Sequence, residues 1–420
     1  MTSAVPVGHA FTGLTKIVPG RVAALAEYLT EVGTHIDTTP DFAFSQLKTV
    51  HFLRWVVLRD GEGGGWLAFE SNYDGALDDH LGELLRAGAT AIHRMYGACV
   101  GYPLAPANAI GPGERAAVIA FIRQGALPNA AFHVGVHNKS AERIRCEAEI
   151  AASIERYVDA SCAAGDLAAI SPREMYGRIV EHLRQSGLLA RAREKQPGAP
   201  KSSLWPAIVR IVPAALSLLP LLLVLFVQER LDRQDDPTAD PPAIAQLAER
   251  EDFQVQNQLT HLVDLKSGPL RRWWLRFVLW AIDLLARFKF NRGALGGITT
   301  IHFARWVFID DHKRLLFFSN YDGSWESYLG DFIDKAHGGL TAVWSNTLGF
   351  PKTWFFLGAG ATDEERFKSW TRSHQVPTQL WYSAYPELTV FNIQQNARIC
   401  AGLADEPSTP EGILAWLQSL

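Results

Sequence analysis

The chain has 420 residues, 48% of them apolar, with a formal net charge of −4 and a sequence pI near 6.4. That length suits two or three domains with room for a sizeable core, and so even a charge balance gives phosphate backbones no general attraction, which excludes nucleic acid as an expected partner. Four scattered cysteines (Cys99, Cys146, Cys162, Cys400) form no CxxC pair, and Met1 to Gly8 lacks an apolar signal core, so reduced thiols and a cytoplasmic setting are expected.

In chain order, FTGLTKIVPG (Phe11 to Gly20) reads as a strand and turn, followed by a helix over Val22 to Val32. The segment TVHFLRW (Thr49 to Trp55) predicts a second strand, and the GEGGG loop predicts a turn into an apolar strand, Trp66 to Glu70. That strand runs into SNYDG (Ser71 to Gly75), after which Leu77 to Ala91 has helical periodicity and Phe132 to Val136 reads as a last strand. The order β-α-β-β-α-β is the ferredoxin-like pattern, an antiparallel four-stranded sheet with helices on one face and the other face left to be covered.

The next stretch is of another kind. A basic tract (Arg191, Arg193, Lys195, Lys201) precedes Trp205 to Val227, 23 residues with a single charge at Arg210. As a helix it is long enough to cross about 30 Å of hydrocarbon, but Pro213 and Pro220 would kink it. Membrane contact is expected here, as a span, a re-entrant hairpin or an interfacial segment; a buried soluble helix is the alternative.

The first pattern then returns. LTHLVDLKSG (Leu259 to Gly268), TIHFARW (Thr300 to Trp306), a strand at Leu315 to Phe318, SNYDG (Ser319 to Gly323), a helix over Trp325 to Trp344 and a strand at Leu380 to Ala384 repeat the landmarks in order. The aspartates of the two SNYDG copies are 248 residues apart and the histidines of the HF.RW segments 251, so the first copy has three extra residues, in its glycine-rich loop. The helix of the second copy, Leu270 to Phe290, carries Trp273, Trp274 and Trp280 among Arg271, Arg272, Arg276, Arg287 and Lys289. It reads either as a core helix or as one lying at a lipid headgroup surface. A single membrane crossing would separate the copies and prevent their sheets from meeting. The expected organisation is an α+β chain: residues 1–165 as one ferredoxin-like unit, 166–250 as a linker holding the membrane-associated segment 205–227, and 251–420 as a second unit. The two sheets, face to face, would form an intramolecular dimeric α/β barrel.

Strand alternation places His302 with Trp306 on one face and Arg305 with Phe303 on the other, and His51 and Arg54 repeat the arrangement. An imidazole and a guanidinium beside an aspartate could line a polar pocket, with His302 as acid or base and Arg305 as an anion clamp. The competing reading gives Asp74 and Asp322 a structural task, as N-caps or Asx turns where strand gives way to helix, with Gly75 and Gly323 in a conformation a Cβ would forbid. His133 and His137 on a strand stand about 13 Å apart, too far to share a metal, and His337 suits a helix C-terminus. His374 could enter the pocket from a loop. No metal-ligand spacing, GxSxG elbow, P-loop or GxGxxG is present.

The segments TIHFARW, LLFFSNYDGSWESYLGDFIDKA, GLTAVWSNTLGFP and QVPTQLWYSAYPELTVFN resemble an uncharacterised bacterial dimeric α/β barrel family of tandem ferredoxin-like units, similar to the Dyp-type haem peroxidases. Those peroxidases carry a GxxDG motif whose aspartate acts at the distal haem face; SNYDG matches at Asp322 and Gly323 and has Ser319 for the first glycine. The resemblance covers most of both copies and none of the 205–236 stretch. It implies Asp322 as distal acid, Arg305 or Arg398 as the distal cation, and haem held at His374, with His337 as a second candidate. Two functions are therefore expected. One is a membrane-associated haem peroxidase-like oxidoreductase acting on a hydrophobic or lipid-derived substrate; the other is a non-catalytic membrane-attached barrel that binds an apolar small molecule or scaffolds a partner. Membrane lipid on the cytoplasmic face is the expected partner in both, and self-association into homo-oligomers is compatible with either.

Overall fold

The computed structural model describes residues 8–105, 110–164, 170–194, 219–232, 241–249, 251–288 and 294–420. The first copy supplies β1 (His9–Lys16), α1 (Val22–Thr34), β2 (Val50–Arg59), β3 (Gly65–Tyr73), α2 (Leu77–Tyr96), α3 (Arg115–Gln124), β4 (Ala131–Val134) and α4 (Ala141–Ala163). After α5 (Pro172–Gln185), α6 (Leu189–Ala192), α7 (Leu219–Leu231) and α8 (Pro241–Ala248), the order begins again with β5 (Gln256–Asp264), α9 (Pro269–Phe288), β6 (Ile301–Ile309), β7 (Arg314–Asp322) and α10 (Trp325–Trp344). A small hairpin, β8 (Thr353–Trp354) and β9 (Gly358–Ala359), precedes α11 (Glu364–His374), β10 (Leu380–Ser383), α12 (Val390–Ala404) and α13 (Pro410–Leu417).

The fold is mixed α+β, with two four-stranded antiparallel sheets in the orders β1-β3-β2-β10 and β4-β6-β7-β5. Each copy thus gives three strands to one sheet and its fourth to the other: Leu380–Ser383 lies along Trp55 to Phe52, and Ala131–Val134 along Trp306 to Phe303. The exchange covers the edge of β2 and of β6 that would otherwise stay open. Gly135 permits the close approach on one side, since a Cβ there would lie 1.9 Å from the Ile301 carbonyl.

The sheets meet face to face. Val56, Leu58 and Ala68 of the first share a core with Val307, Ile309, Leu316 and Phe318 of the second, while the outer face of each sheet carries helices over a larger apolar core. Burial on both faces explains why β2 reads VHFLRWVVLR with nine successive buried residues rather than a polar alternation.

Residues 172–192, within the stretch expected as linker, form α5 and α6, and Tyr176, Ile179 and Leu183 pack against Cys400, Leu403 and Trp416 of the C-terminal helices. The expectation of an apolar membrane insert over 205–227 finds no support in the fold. Residues 205–218 lie outside the described residues, and the remainder belongs to α7, whose 13 residues reach only about 20 Å. Among the described residues no helix is long and apolar enough to cross a membrane.

Candidate functional site

A β-bulge builds the polar centre. The register of β2 slips between Val50 and Phe52, and that of β6 between Ile301 and Phe303. His302 therefore turns to the same inter-sheet face as Phe303, its ring 5.1 Å from Phe52 of the opposite sheet, while Trp306 joins the helix-side core. Plain alternation, which pairs His302 with Trp306, fails at this bulge. His51 is placed equivalently, 5.2 Å from Phe303.

Each histidine holds the aspartate of its own SNYDG: His51 Nε2 lies 3.0 Å from Asp74 Oδ1, and His302 Nε2 2.7 Å from Asp322 Oδ1. The other carboxylate oxygen accepts the first amide of a distant helix, Ala141 of α4 for Asp74 and Val390 of α12 for Asp322, each at 2.8 Å. The aspartates are caps after all, but not of the helices that follow them, where Ala76 and Ser324 occupy the N-cap positions. Burial alone would raise the Asp74 carboxyl; the His51 hydrogen bond and charge, with the amides of Ala141 and Gly8, outweigh it and hold Asp74 below its ordinary value. Gly75 and Gly323 sit at φ of +87° and +79°, as the turn reading required.

Beside these pairs two arginines cross between the sheets in opposite directions. Arg54 donates to the Leu259 and Ser319 carbonyls and to Asn320 Oδ1, at 2.9, 2.9 and 2.6 Å. Arg305 reaches back to the Phe11 and Ser71 carbonyls at 2.7 and 3.0 Å and to Asn72. Both are wholly buried, and one carboxylate serves both: Glu70 lies 2.8 Å from Arg54 Nε and 2.7 Å from the Arg305 guanidinium. Burial lowers the Arg54 guanidinium against the pull of Glu70, and brings Arg305 down to about 10. The duplication is unequal here. Phe318 stands where the first copy has Glu70, so Asn72 donates its amide to Glu70 at 2.8 Å whereas Asn320 Nδ2 is buried without a partner. Tyr385, which bonds His51 Nδ1 at 2.8 Å, has Val136 as its counterpart.

Asp322 and His302 thus meet between the sheets, and Arg305 lies between the sheets as well but bonds Glu70 and the first copy's strands, not this pair. The other nominated residues do not join them. His374 ends α11 on the helix side of the second sheet, its Nδ1 2.8 Å from the Trp370 carbonyl and its ring 5.9 Å from His261. His337 is exposed on α10, and Arg398 is exposed on α12, where it bonds Gln395 at 3.2 Å. For haem to meet both Asp322 and His374 it would have to pass through a sheet, and the space around Asp322 is filled by Phe52, Phe303 and Tyr385; the residues present do not fit that group as arranged. Among the described residues no cluster of three His, Cys, Asp or Glu could hold a metal ion. His133 is buried on β4, where desolvation pushes it down to about 3, and the strand ends at Val134, before His137.

Sequence reasoning missed Glu70 and Tyr385. A carboxylate closing the apolar run WLAFE, where the other copy reads LLFF, is the signal that could have found the first. Tyr385 carried none, because its partner lies 334 residues away. Compared with known proteins, the chain matches no family model, no curated protein and no solved structure.

Proposed function

We propose that this chain is a non-catalytic α/β barrel, made of two tandem ferredoxin-like units that exchange their fourth strands, which attaches to a membrane surface and binds an apolar small molecule. Support for the barrel comes from the reciprocal seating of Arg54 and Arg305 across the two sheets. Their backbone and side-chain partners form a structural polar lock between the sheets.

One observation carries the membrane reading. Leu223, Val224 and Val227 of α7 are exposed next to Trp354, Phe355 and Leu357, each of which is more than half exposed, and Phe226 stacks on Phe355 at 4.1 Å. A second exposed set lies on α9, where Arg272, Trp273, Arg276, Phe277 and Trp280 border one shallow groove. Exposed tryptophan and aliphatic groups fringed by arginines suit the headgroup boundary of a bilayer, with the apolar tips inserted and the guanidiniums at phosphate level. The oxidoreductase expectation has no comparable observation in its favour.

Sedimentation with phospholipid vesicles tests this. The full chain should co-sediment, more strongly with anionic lipid, and the variant Trp273→Ser/Trp354→Ser/Phe355→Ser should lose most of that binding while keeping its circular dichroism. A full chain that stays in the supernatant, or a triple variant that binds as well as the parent, refutes the attachment.

A further inference from the structure

The two copies differ most on the helix side of their sheets. In register across three strands, Trp306, Phe317 and His261 stand in a row in the second copy, and Trp55, Phe69 and Gly13 stand in the same row in the first. The first copy is closed over that row. Trp55 Nε1 donates to Tyr96 Oη at 3.4 Å, the Phe11 ring covers Gly13, and Phe42 fills the bend of α2 so tightly that a Cβ on Gly88 would lie 2.0 Å from it.

Among the described residues none of those fillings recurs in the second copy. Trp344 replaces Tyr96 and offers no hydroxyl, and at Ala336 α10 bends as α2 does at Gly88. A cavity of about 300 Å³ opens there between α9 and α10, floored by Trp306. A second chamber of about 20 Å³ lies deeper, against His261, and shares Trp306, Phe332, Leu340 and Trp344 as a common wall. Trp306 and His261 both line it, and Trp306 Nε1 and His261 Nε2 are buried and have no hydrogen-bond partner. Burial holds His261 far below its ordinary value, so the ring is neutral, and its hydrogen bond to the Thr371 backbone occupies the other nitrogen. Nε2 thus presents a lone pair, whereas the indole presents a proton.

A donor and an acceptor facing one chamber of water size ask for a group that is both, and leaving them unmatched in an apolar wall is unfavourable. We propose that the second copy binds a small apolar alcohol or phenol, with its hydroxyl in the inner chamber, accepting from Trp306 and donating to His261, and its hydrocarbon body in the outer cavity. The outer volume holds roughly ten non-hydrogen atoms at about 30 Å³ each. A carboxylate is disfavoured, since it would set its charge against the His261 lone pair in an apolar chamber. The inference rests on the reading of the chain as a binder of apolar molecules, and is independent of its attachment to a bilayer.

Calorimetric titration of the full chain with 1-octanol, octanoate and octyl chloride is the test, without vesicles. Octanol should bind at least tenfold more tightly than either of the others, and Trp306→Phe should reduce its affinity five- to tenfold while leaving octyl chloride unchanged. Ala336→Phe, which imitates the Phe42 plug, should abolish binding; should it fail to fold, Leu285→Trp blocks the mouth from a partly exposed position. Equal binding of all three probes, insensitive to Trp306→Phe, overturns the hydroxyl assignment and leaves the apolar-ligand reading standing. Binding of none of them overturns both, and binding that survives both plugging variants overturns the location.

Discussion

Glu70→Gln is the most informative single change, because one carboxylate neutralises two guanidiniums that have no access to water. The amide keeps the shape but has one accepting oxygen in place of two, so the charge is lost and an N–H is turned toward a buried donor whichever way the amide sits. Two contacts of 2.8 and 2.7 Å lose their ionic character; at about 1.5–3 kcal/mol for each bond to a charged partner the loss is about 3–6 kcal/mol. Breaking a buried ion pair from one side gives a similar figure, about 3–5 kcal/mol. The midpoint of urea unfolding at neutral pH should fall accordingly, with an unchanged slope. A Glu70→Gln protein within about 1 kcal/mol of the parent would refute the idea that Glu70 is the shared counterion, and with it the polar lock between the sheets.

Two further outcomes follow from single residues. His80 and His133 are buried, and desolvation holds both near 3. Their folded values are depressed, so the unfolded chain binds protons first, and stability is full above about pH 6.5 and falls as pH drops below it. Between pH 6.5 and 5.5 each should cost about 1 kcal/mol, with His261 acting in the same direction; a melting temperature that stays flat over that interval in calorimetry would contradict their burial as neutral rings. Gly323 has open space around it but a φ of +79°, and Gly330 lies inside α10 with equally open surroundings. Alanine should destabilise the first by about 1 kcal/mol and stabilise the second by about 0.5–1 kcal/mol, and chemical denaturation giving both the same sign would refute the turn assignment.

Periodicity, glycine positions and the repeated SNYDG determined the strands, the helices flanking them and their duplicated order, because each depends on residues close together in the chain. β7, for example, begins and ends where an apolar run meets turn residues, and the aspartate of SNYDG was legible as a cap. Which helix it caps was not: Val390 is 68 residues from Asp322, and no local pattern encodes that distance. The bulge that turns His302 toward Phe52, the exchange of β4 and β10, and the sharing of Glu70 by Arg54 and Arg305 arise from pairing between distant segments. The sequence alone settled the four strands of each copy and the two helices between them, but not α4 and α12, which the aspartates cap. Only tertiary structure decided how the copies interlock and where one is closed and the other open, since the energy of a buried charge, an unmatched donor or a covered edge is set by whatever lies against it in space.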